Sequence, residues 1–170
     1  FPENPFLKKF YENPSEYSFR SQLWFLKSTI DQMVETNAIY KTKSVVFDPA
    51  NEMNMIYAKT HLDMKWMSGK EFNLYKELYK ILTEKSGVKE PDLLIWLTVP
   101  KNIVIDRIIK RNRTYELTIL NKYPEYLDIL NMNVVKFAKD FKGNIISIDS
   151  QTDFTNIKVL MRFCAQSKSP

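Results

Sequence analysis

The sequence has 170 residues and a net charge of +5, with 44% hydrophobic and 26% charged residues. That length suits one domain with its own core, and the composition is typical of an ordinary globular protein. The longest apolar run, residues 93–99, is far shorter than the roughly 18 residues of a membrane span, so no transmembrane segment is expected. A single cysteine, Cys164, excludes a disulfide within the chain. The small positive excess gives little support for a nucleic-acid partner, and none is expected.

The first predicted helix begins close to the start of the chain. Asn13 suits the N-cap, Pro14 suits the first helical position, and Glu16 follows three residues after the cap. Apolar residues then recur at helical spacing from Phe19 to Val34. The next predicted element is a short strand, "SVVFD", at residues 44–48.

Two helices and a second strand are predicted in the middle of the chain. The helices cover residues 51–64 and 68–82, the latter with Ser68 as cap and Glu71 three residues later. Residues 93–99, "LLIWLTV", are apolar without alternation, which predicts a strand covered on both faces.

The last third of the chain is predicted to be mainly helical. Helices are expected at residues 100–112 and 115–141, with Pro124 starting a new segment of the second. A third strand at 144–149 and a final helix at 152–166 complete the pattern. Strands separated by helices predict an α/β fold with a parallel sheet flanked by helices.

The segment "RIIKRNRTYE", which begins at Arg107, is the first candidate for a function. Arg107 and Arg111 lie four residues apart and share a helical face, where like charges repel each other. Ligands of parallel sheets bind beyond the carboxyl ends of strands, and guanidinium groups bind phosphate well. The segment is therefore either a phosphate-binding site or a solvated charged helix. The lone histidine, His61, is expected to be a surface or hydrogen-bonded structural residue.

Four stretches resemble, in the right order, the motifs of the deoxynucleoside kinase family, which includes deoxyadenosine and deoxyguanosine kinases. They are "ENPFLKKFYENPSEYSFRSQLWFL", "IYAK", "PDLLIWLTV" and "RIIKRNRTYE". The first resembles the start of the family's substrate region, and the last resembles its lid. The resemblance runs over nearly the whole chain and implies a P-loop kinase-like fold.

The resemblance also implies a role for each matching residue. Tyr11 and Glu116 would hold the sugar 3′-hydroxyl, and Gln22 would read the base edge through its amide. Tyr57 would lie against the base. The lid arginines, which would close on the donor phosphates, are Arg107, Arg111 and Arg113. No metal-ligand cluster is found in the sequence.

The sequence departs from the family pattern in three places. No glycine-rich phosphate loop is present, so residues 1–170 are expected to be one N-terminally incomplete domain that lacks the first strand and that loop. Family members carry a carboxylate that accepts the 5′-hydroxyl proton, and Glu3 has the wrong offset to replace it. The family also has Glu/Asp-Arg-Ser/Thr after its third strand. Counted back from "IYAK", this sequence has Phe47, Asp48 and Pro49 there.

These departures favour a degenerate, non-catalytic protein. It would act as an accessory subunit beside other protein subunits, as does the kinase-like subunit of mitochondrial respiratory complex I. That hypothesis expects no cofactor and a location on the matrix side of the mitochondrion, or otherwise in the cytoplasm. The alternative is an active deoxynucleoside kinase that transfers phosphate from ATP, with Mg²⁺, and whose N-terminal phosphate-loop segment is absent from this sequence. A nucleoside or nucleotide is the expected ligand if the substrate site is kept.

Overall fold

The computed structural model describes residues 3–37, 39 and 42–151, which form a parallel sheet flanked by helices. In chain order the elements are α1 (Leu7–Glu12), α2 (Pro14–Thr36), α3 (Glu52–Asp63), α4 (Gly69–Lys85), β1 (Leu94–Thr98), α5 (Lys101–Arg111), α6 (Thr114–Lys122), α7 (Tyr126–Asp140) and β2 (Ile145–Asp149). The predicted α/β fold class is confirmed. The final helix predicted at 152–166, and Cys164 with it, lie outside the described residues.

The predicted helix starts are in place, although only one has the expected cap. Pro14 occupies the first position of α2, but Asn13 makes no side-chain cap and instead donates from Nδ2 to Glu16 Oε2 at 3.0 Å. At α4 the capping box is complete. Ser68 Oγ accepts from the backbone N–H of Glu71, and a Glu71 carboxylate oxygen accepts from the backbone N–H of Ser68.

The main core lies where α2, α3 and α4 meet. Leu26, Ala58 and Tyr75 are fully buried there, one from each helix. The Tyr75 hydroxyl donates to the backbone oxygen of Asn54 at 3.3 Å, so its burial leaves no unpaired hydroxyl. On the other side of α3, Asn133 from α7 donates to Thr60 Oγ1 and to a carboxylate oxygen of Asp63. These contacts fix α3 between α2 and α7.

A second, aromatic cluster joins the first helix to the later ones. Phe10 of α1, Trp66 in the turn after α3, and Ile119 of α6 form its buried centre. Tyr126, at the start of α7, stacks on Trp66 with ring centroids 5.3 Å apart. Such ring pairs add to the stabilisation from buried area, so this cluster holds α1 and α6 near each other.

The sheet of the described chain consists of β1 and β2, which are parallel and pair from Leu94↔Ile145 to Thr98↔Asp149. Parallel neighbours need a long crossover connection, and α5, α6 and α7 provide it. The carboxyl ends of both strands therefore lie at the same edge, next to the start of α5.

Two predictions about strands are wrong. Residues 44–48 form no strand, and the Val46 side chain is 84% exposed. A strand needs a neighbouring strand to hydrogen-bond with. Within the described chain β1 pairs with β2, and residues 44–48 pair with neither. The predicted burial of β1 on both faces fails as well. Ile95 and Leu97, which share one face, are 47% and 57% exposed, because the described elements leave that face partly uncovered. None of the described helices is long and apolar enough to span a membrane.

The capping box of α4 gives a prediction about stability. We expect Ser68→Ala to lower the free energy of unfolding by about 1 kcal/mol, because the N–H of Glu71 loses its acceptor. Ser68→Asp, which keeps an acceptor at the cap, should stay within about 0.5 kcal/mol of the wild type. Urea unfolding of the three proteins measures both effects. If both variants lost the same free energy of unfolding, the hydrogen-bond acceptor at position 68 would contribute nothing to stability.

Candidate functional site

A cavity of about 620 Å³ opens between α1, α2, α3, α5 and α6. That volume falls within the range of small-molecule sites in proteins. All seven residues that the resemblance singled out line this one cavity: Tyr11, Gln22, Tyr57, Arg107, Arg111, Arg113 and Glu116. The structure therefore brings together side chains that lie up to 105 positions apart in the sequence, Tyr11 and Glu116 being the extremes.

The inner wall of the cavity is neutral and comes from α2 and α3. Gln22 is 5% exposed, and its Oε1 is the one buried side-chain oxygen or nitrogen of the described chain without a hydrogen-bond partner. Buried polar atoms nearly always have a partner, so an orphaned amide oxygen on a cavity wall indicates a place for a ligand donor. Tyr57 lines the same wall from α3. Burial, and secondarily the charge of Asp48, raises the pKa of its hydroxyl.

His61 forms part of the cavity wall and is buried rather than on the surface. Its Nδ1 shares a hydrogen bond of 2.8 Å with Ser18 Oγ, and its ring stacks on Phe10 with centroids 4.8 Å apart. Burial lowers the pKa of His61 to about 3, so the ring is neutral at pH 7. His61 was expected to be either a surface residue or a hydrogen-bonded structural residue, and the second expectation agrees with the structure.

The arginine segment turns sharply where α5 ends. Asn112 caps α5 in the left-handed conformation, with φ 51° and ψ 42°, and asparagine tolerates that region better than most residues. Arg113 then occupies the N-cap of α6, and Glu116 lies in the first turn of that helix, where a carboxylate is favoured. The reversal folds Glu116 back towards the two arginines before it.

Glu116 forms ion pairs with two of the three arginines. Arg111 donates from Nε to Glu116 Oε2 at 2.9 Å, and Arg111 Nη2 lies 2.9 Å from the same oxygen. Arg113 Nη1 lies 3.5 Å from Glu116 Oε1. Arg107 lies apart from this group, because it donates to the backbone oxygen of Ser150 at 3.1 Å, just after β2. The mouth of the cavity therefore carries a net positive charge, and the inner wall carries none.

Tyr11 lies beside this charged group. Its ring stacks on Tyr115, with centroids 4.7 Å apart and planes 29° apart. Burial, followed by the charge of Glu116, raises the pKa of the Tyr11 hydroxyl well above its usual value, so the hydroxyl keeps its proton. A neutral hydroxyl next to a carboxylate can donate one hydrogen bond and accept another, which suits a ligand hydroxyl.

The departure at residues 47–49 lies at the edge of the cavity. Pro49 lines it, and Asp48 is exposed beside it. The sequence has no arginine between Arg20 and Arg107, so no shift in the alignment can supply one to this segment. A carboxylate thus lies beside the cavity where the family resemblance leads us to expect a phosphate-binding cation.

Sequence reasoning named Tyr57 on the inner wall but did not assign its neighbours Asn54 and His61 to the site. Asn54, Tyr57 and His61 occupy positions i, i+3 and i+7 of α3, which is one helical face, and all three line the cavity. The spacing places the three residues on one face, with Tyr57, which the resemblance assigns to the base, between the other two. Polar residues at helical spacing usually face water, so the spacing alone does not predict a cavity wall.

The groups present suit phosphate better than a metal ion. Arg111 and Arg113 present guanidinium N–H groups, which bind phosphate oxygens in pairs. Within residues 3–37, 39 and 42–151 no three His, Cys, Asp or Glu side chains come together to hold a metal ion. Mg²⁺ in phosphoryl-transfer sites needs only one or two protein carboxylates, with phosphate and water completing its shell. The nucleotide itself would therefore supply most of such a metal's ligands.

The sequence pattern of the family described as deoxynucleoside kinase matches residues 2–162. The chain belongs to the deoxynucleoside kinase family. Among curated relatives, it is 30% identical to a deoxyguanosine kinase of Bacillus subtilis (strain 168) over 127 residues, which cover 74% of this chain and 58% of the relative. It is 29% identical over 124 residues to the deoxyadenosine/deoxycytidine kinase of the same organism, covering 72% and 56% of the two chains. The chain thus spans a little over half the length of these relatives.

Solved structures of a deoxyadenosine kinase from M. mycoides have the same fold. One of them, with dCMP and a flexible dCDP bound, superposes with a TM-score of 0.79 at 25% identity, covering 96% of this chain and 82% of the other. Another, with dATP bound, has a TM-score of 0.80 at 24% identity and the same coverage. The fold predicted from the family resemblance is therefore confirmed.

The buried histidine predicts how stability depends on pH. In the unfolded chain His61 takes up a proton near pH 6.5, whereas the folded protein keeps it neutral until about pH 3. Between these two pH values the unfolded state binds more protons than the folded state. The contribution of His61 to stability is therefore complete above about pH 6.5 and is lost as the pH falls towards 3. As the pH is lowered below 6.5, we expect the free energy of unfolding to fall more steeply in the wild type than in His61→Asn. The difference in slope should be up to about 1.4 kcal/mol per pH unit.

Chemical unfolding at several values between pH 4 and 7 measures this difference, because carboxylates titrate alike in both proteins. His61 is the only histidine of the chain, so its ring protons can also be followed directly by NMR. A ring that titrates near pH 6.5 in the folded protein would contradict the described burial.

Proposed function

We propose that this protein binds a deoxynucleoside against the α2 and α3 wall of the cavity and no longer transfers phosphate to it. Gln22 would read the base edge, Tyr57 would lie against the base, and Tyr11 and Glu116 would hold the sugar. The unpaired Oε1 of Gln22 carries this proposal, since a buried acceptor on a cavity wall is a place where a ligand donor can bind.

The charges of the cavity support the same orientation of the ligand. A nucleobase is neutral and flat, and it suits an inner wall without charge, between Gln22 and Tyr57. The sugar hydroxyls are hydrogen-bond donors, and Tyr11 and Glu116 offer a hydroxyl and a carboxylate nearer the mouth. An exocyclic base amine would satisfy the Gln22 oxygen, as in the pairing of glutamine with adenine.

The loss of phosphoryl transfer is inferred from Asp48. Transfer requires fixed cations around the moving phosphoryl group, and removing one such group typically costs orders of magnitude in rate. A carboxylate in its place repels phosphate instead. The partly exposed face of β1, with Ile95 and Leu97, supports the finer proposal that the protein works beside other protein subunits as an accessory component.

A second candidate function is an active deoxynucleoside kinase that uses ATP and Mg²⁺. Arg111 and Arg113 suit it, because guanidinium groups at the cavity mouth bind phosphate oxygens in pairs. The names of the curated relatives, all of them kinases of deoxynucleosides, favour it as well. The two candidates share the nucleoside cavity and differ in whether phosphate moves.

Replacement of Gln22 tests the shared part. We expect Gln22→Leu to weaken binding of deoxyadenosine or deoxyguanosine by about 10- to 100-fold, because the base loses its hydrogen bonds. Without a ligand, the same variant should be at least as stable as the wild type, since an orphaned buried oxygen is removed. Calorimetric titration and thermal unfolding measure the two effects. Gln32→Leu, on the same helix but outside the cavity, is the matched control. Unchanged affinity in Gln22→Leu would refute the role of Gln22.

An assay of turnover separates the two candidates. Purified protein is incubated with Mg-ATP and each of the four deoxynucleosides, and monophosphate is measured by chromatography. Our proposal expects no monophosphate above the level without protein, because Asp48 opposes the phosphoryl group. Monophosphate that increases with protein concentration, and that an Arg111→Ala/Arg113→Ala variant fails to produce, would establish the kinase instead.

A further inference from the structure

The ion pairs of Glu116 join the sugar end of the cavity to its cationic mouth. Arg111 engages one carboxylate oxygen at 2.9 Å, and Arg113 lies 3.5 Å from the other. The Glu116 side chain is 15% exposed, whereas the two arginine side chains are about half exposed, at 48% and 52%. A carboxylate with so little water around it needs donors, and the arginines supply them.

We propose that Glu116 is a latch that holds Arg111 and Arg113 away from phosphate until a nucleoside sugar is bound. This inference rests on the proposed function, because it assigns the sugar hydroxyl to Tyr11 and Glu116. Its physical basis is that one carboxylate serves two purposes. Glu116 is the acceptor for the sugar and, without a sugar, the counterion of both arginines.

The latch opposes anion binding in the empty protein. Phosphate would have to take the Nε and Nη2 groups of Arg111 that now face Glu116. Their release would leave a poorly solvated carboxylate without its donors, which is costlier than the loss of an ordinary surface ion pair. Arg107 is outside the latch, because it is bound to Ser150.

A bound sugar relieves that cost. In the proposed complex the sugar hydroxyl donates to Glu116 in place of the arginines. The Tyr11 hydroxyl, which is close to the same carboxylate, is a further donor to it. The arginines can then turn to phosphate without leaving Glu116 bare. By thermodynamic linkage the coupling is reciprocal, so phosphate should also strengthen the binding of the nucleoside.

Tripolyphosphate, which has a phosphate chain but neither base nor sugar, is a direct probe of the latch. Its affinity for the full chain is measured by calorimetry in the wild type, in Glu116→Gln, and in the control Glu77→Gln. Glu77 is exposed on α4, so its replacement makes the same change in net charge away from the cavity. We expect Glu116→Gln to bind tripolyphosphate at least about fivefold more tightly than Glu77→Gln. Saturating deoxyadenosine should tighten binding in the wild type and have no effect in Glu116→Gln.

Several outcomes would overturn the latch. They are equal affinities in Glu116→Gln and Glu77→Gln, no binding of tripolyphosphate by Glu116→Gln, or a deoxyadenosine effect that persists in Glu116→Gln. Should Glu116→Gln fail to fold, Glu116→Asp keeps the charge but shortens the reach to the arginines, and it should show the same change to a smaller extent. Tighter binding of tripolyphosphate by Glu116→Gln without any binding of deoxyadenosine by the wild type would overturn the proposed function and leave the ion-pair latch supported.

Discussion

The hydrogen bond between Ser18 and His61 is the contact on which the arrangement of the cavity depends. It joins α2 to α3 in the interior, where both residues are almost completely buried. Gln22 follows Ser18 by one helical turn, and Tyr57 precedes His61 by one turn, so the same pair of helices carries the inner wall of the cavity. A buried histidine is tolerated because it is neutral and bonded, and its stacking on Phe10 extends the contact to α1. The packing of these helices and the inner wall of the cavity thus depend on the same two helices.

The cavity combines two environments that a single helix face could not provide. Its inner wall comes from side chains within α2 and α3, and these side chains are neutral. Its mouth comes from the ends of two short helices, where α5 stops at Asn112 and α6 starts at Arg113. Helix ends are the parts of a fold that change most easily, since their backbone groups are only partly committed. The cavity thus has a neutral wall within two helices and a charged mouth at two helix ends.

Much of the fold could be predicted from the sequence, because the residues that start a helix lie close together in the sequence. Pro14 and the pair Ser68 and Glu71 mark helix starts, and both starts are where the pattern placed them. Strands depend on partners distant in the sequence, and this is why the prediction for residues 44–48 failed while "NIISID" was right. The same limit applies to β1, whose composition suggested burial that only neighbouring elements could provide.

The candidate site was predicted unevenly, for a similar reason. Residues that match a family motif, such as Tyr11 and Glu116, could be named from the sequence and line one cavity in the structure. The pairing of Glu116 with Arg111 could not be foreseen, since it depends on the left-handed turn at Asn112. The seclusion of His61 could not be foreseen either. Its neighbours come from three other parts of the chain, and nothing in the local sequence marks them.

The Glu116 cluster also offers a reason why the chain would keep Arg111 and Arg113 if it transfers no phosphate. A carboxylate that binds a sugar hydroxyl must be accessible to the ligand, yet the Glu116 side chain is only 15% exposed. Cations beside it offset the cost of that burial whether or not phosphate ever arrives. Arg111 and Arg113 would then be required by the nucleoside site itself, and Asp48 would remove only the part of the machinery that transfer alone requires. On this argument the arginine pair is compatible with both candidate functions, and residues 47–49 decide between them.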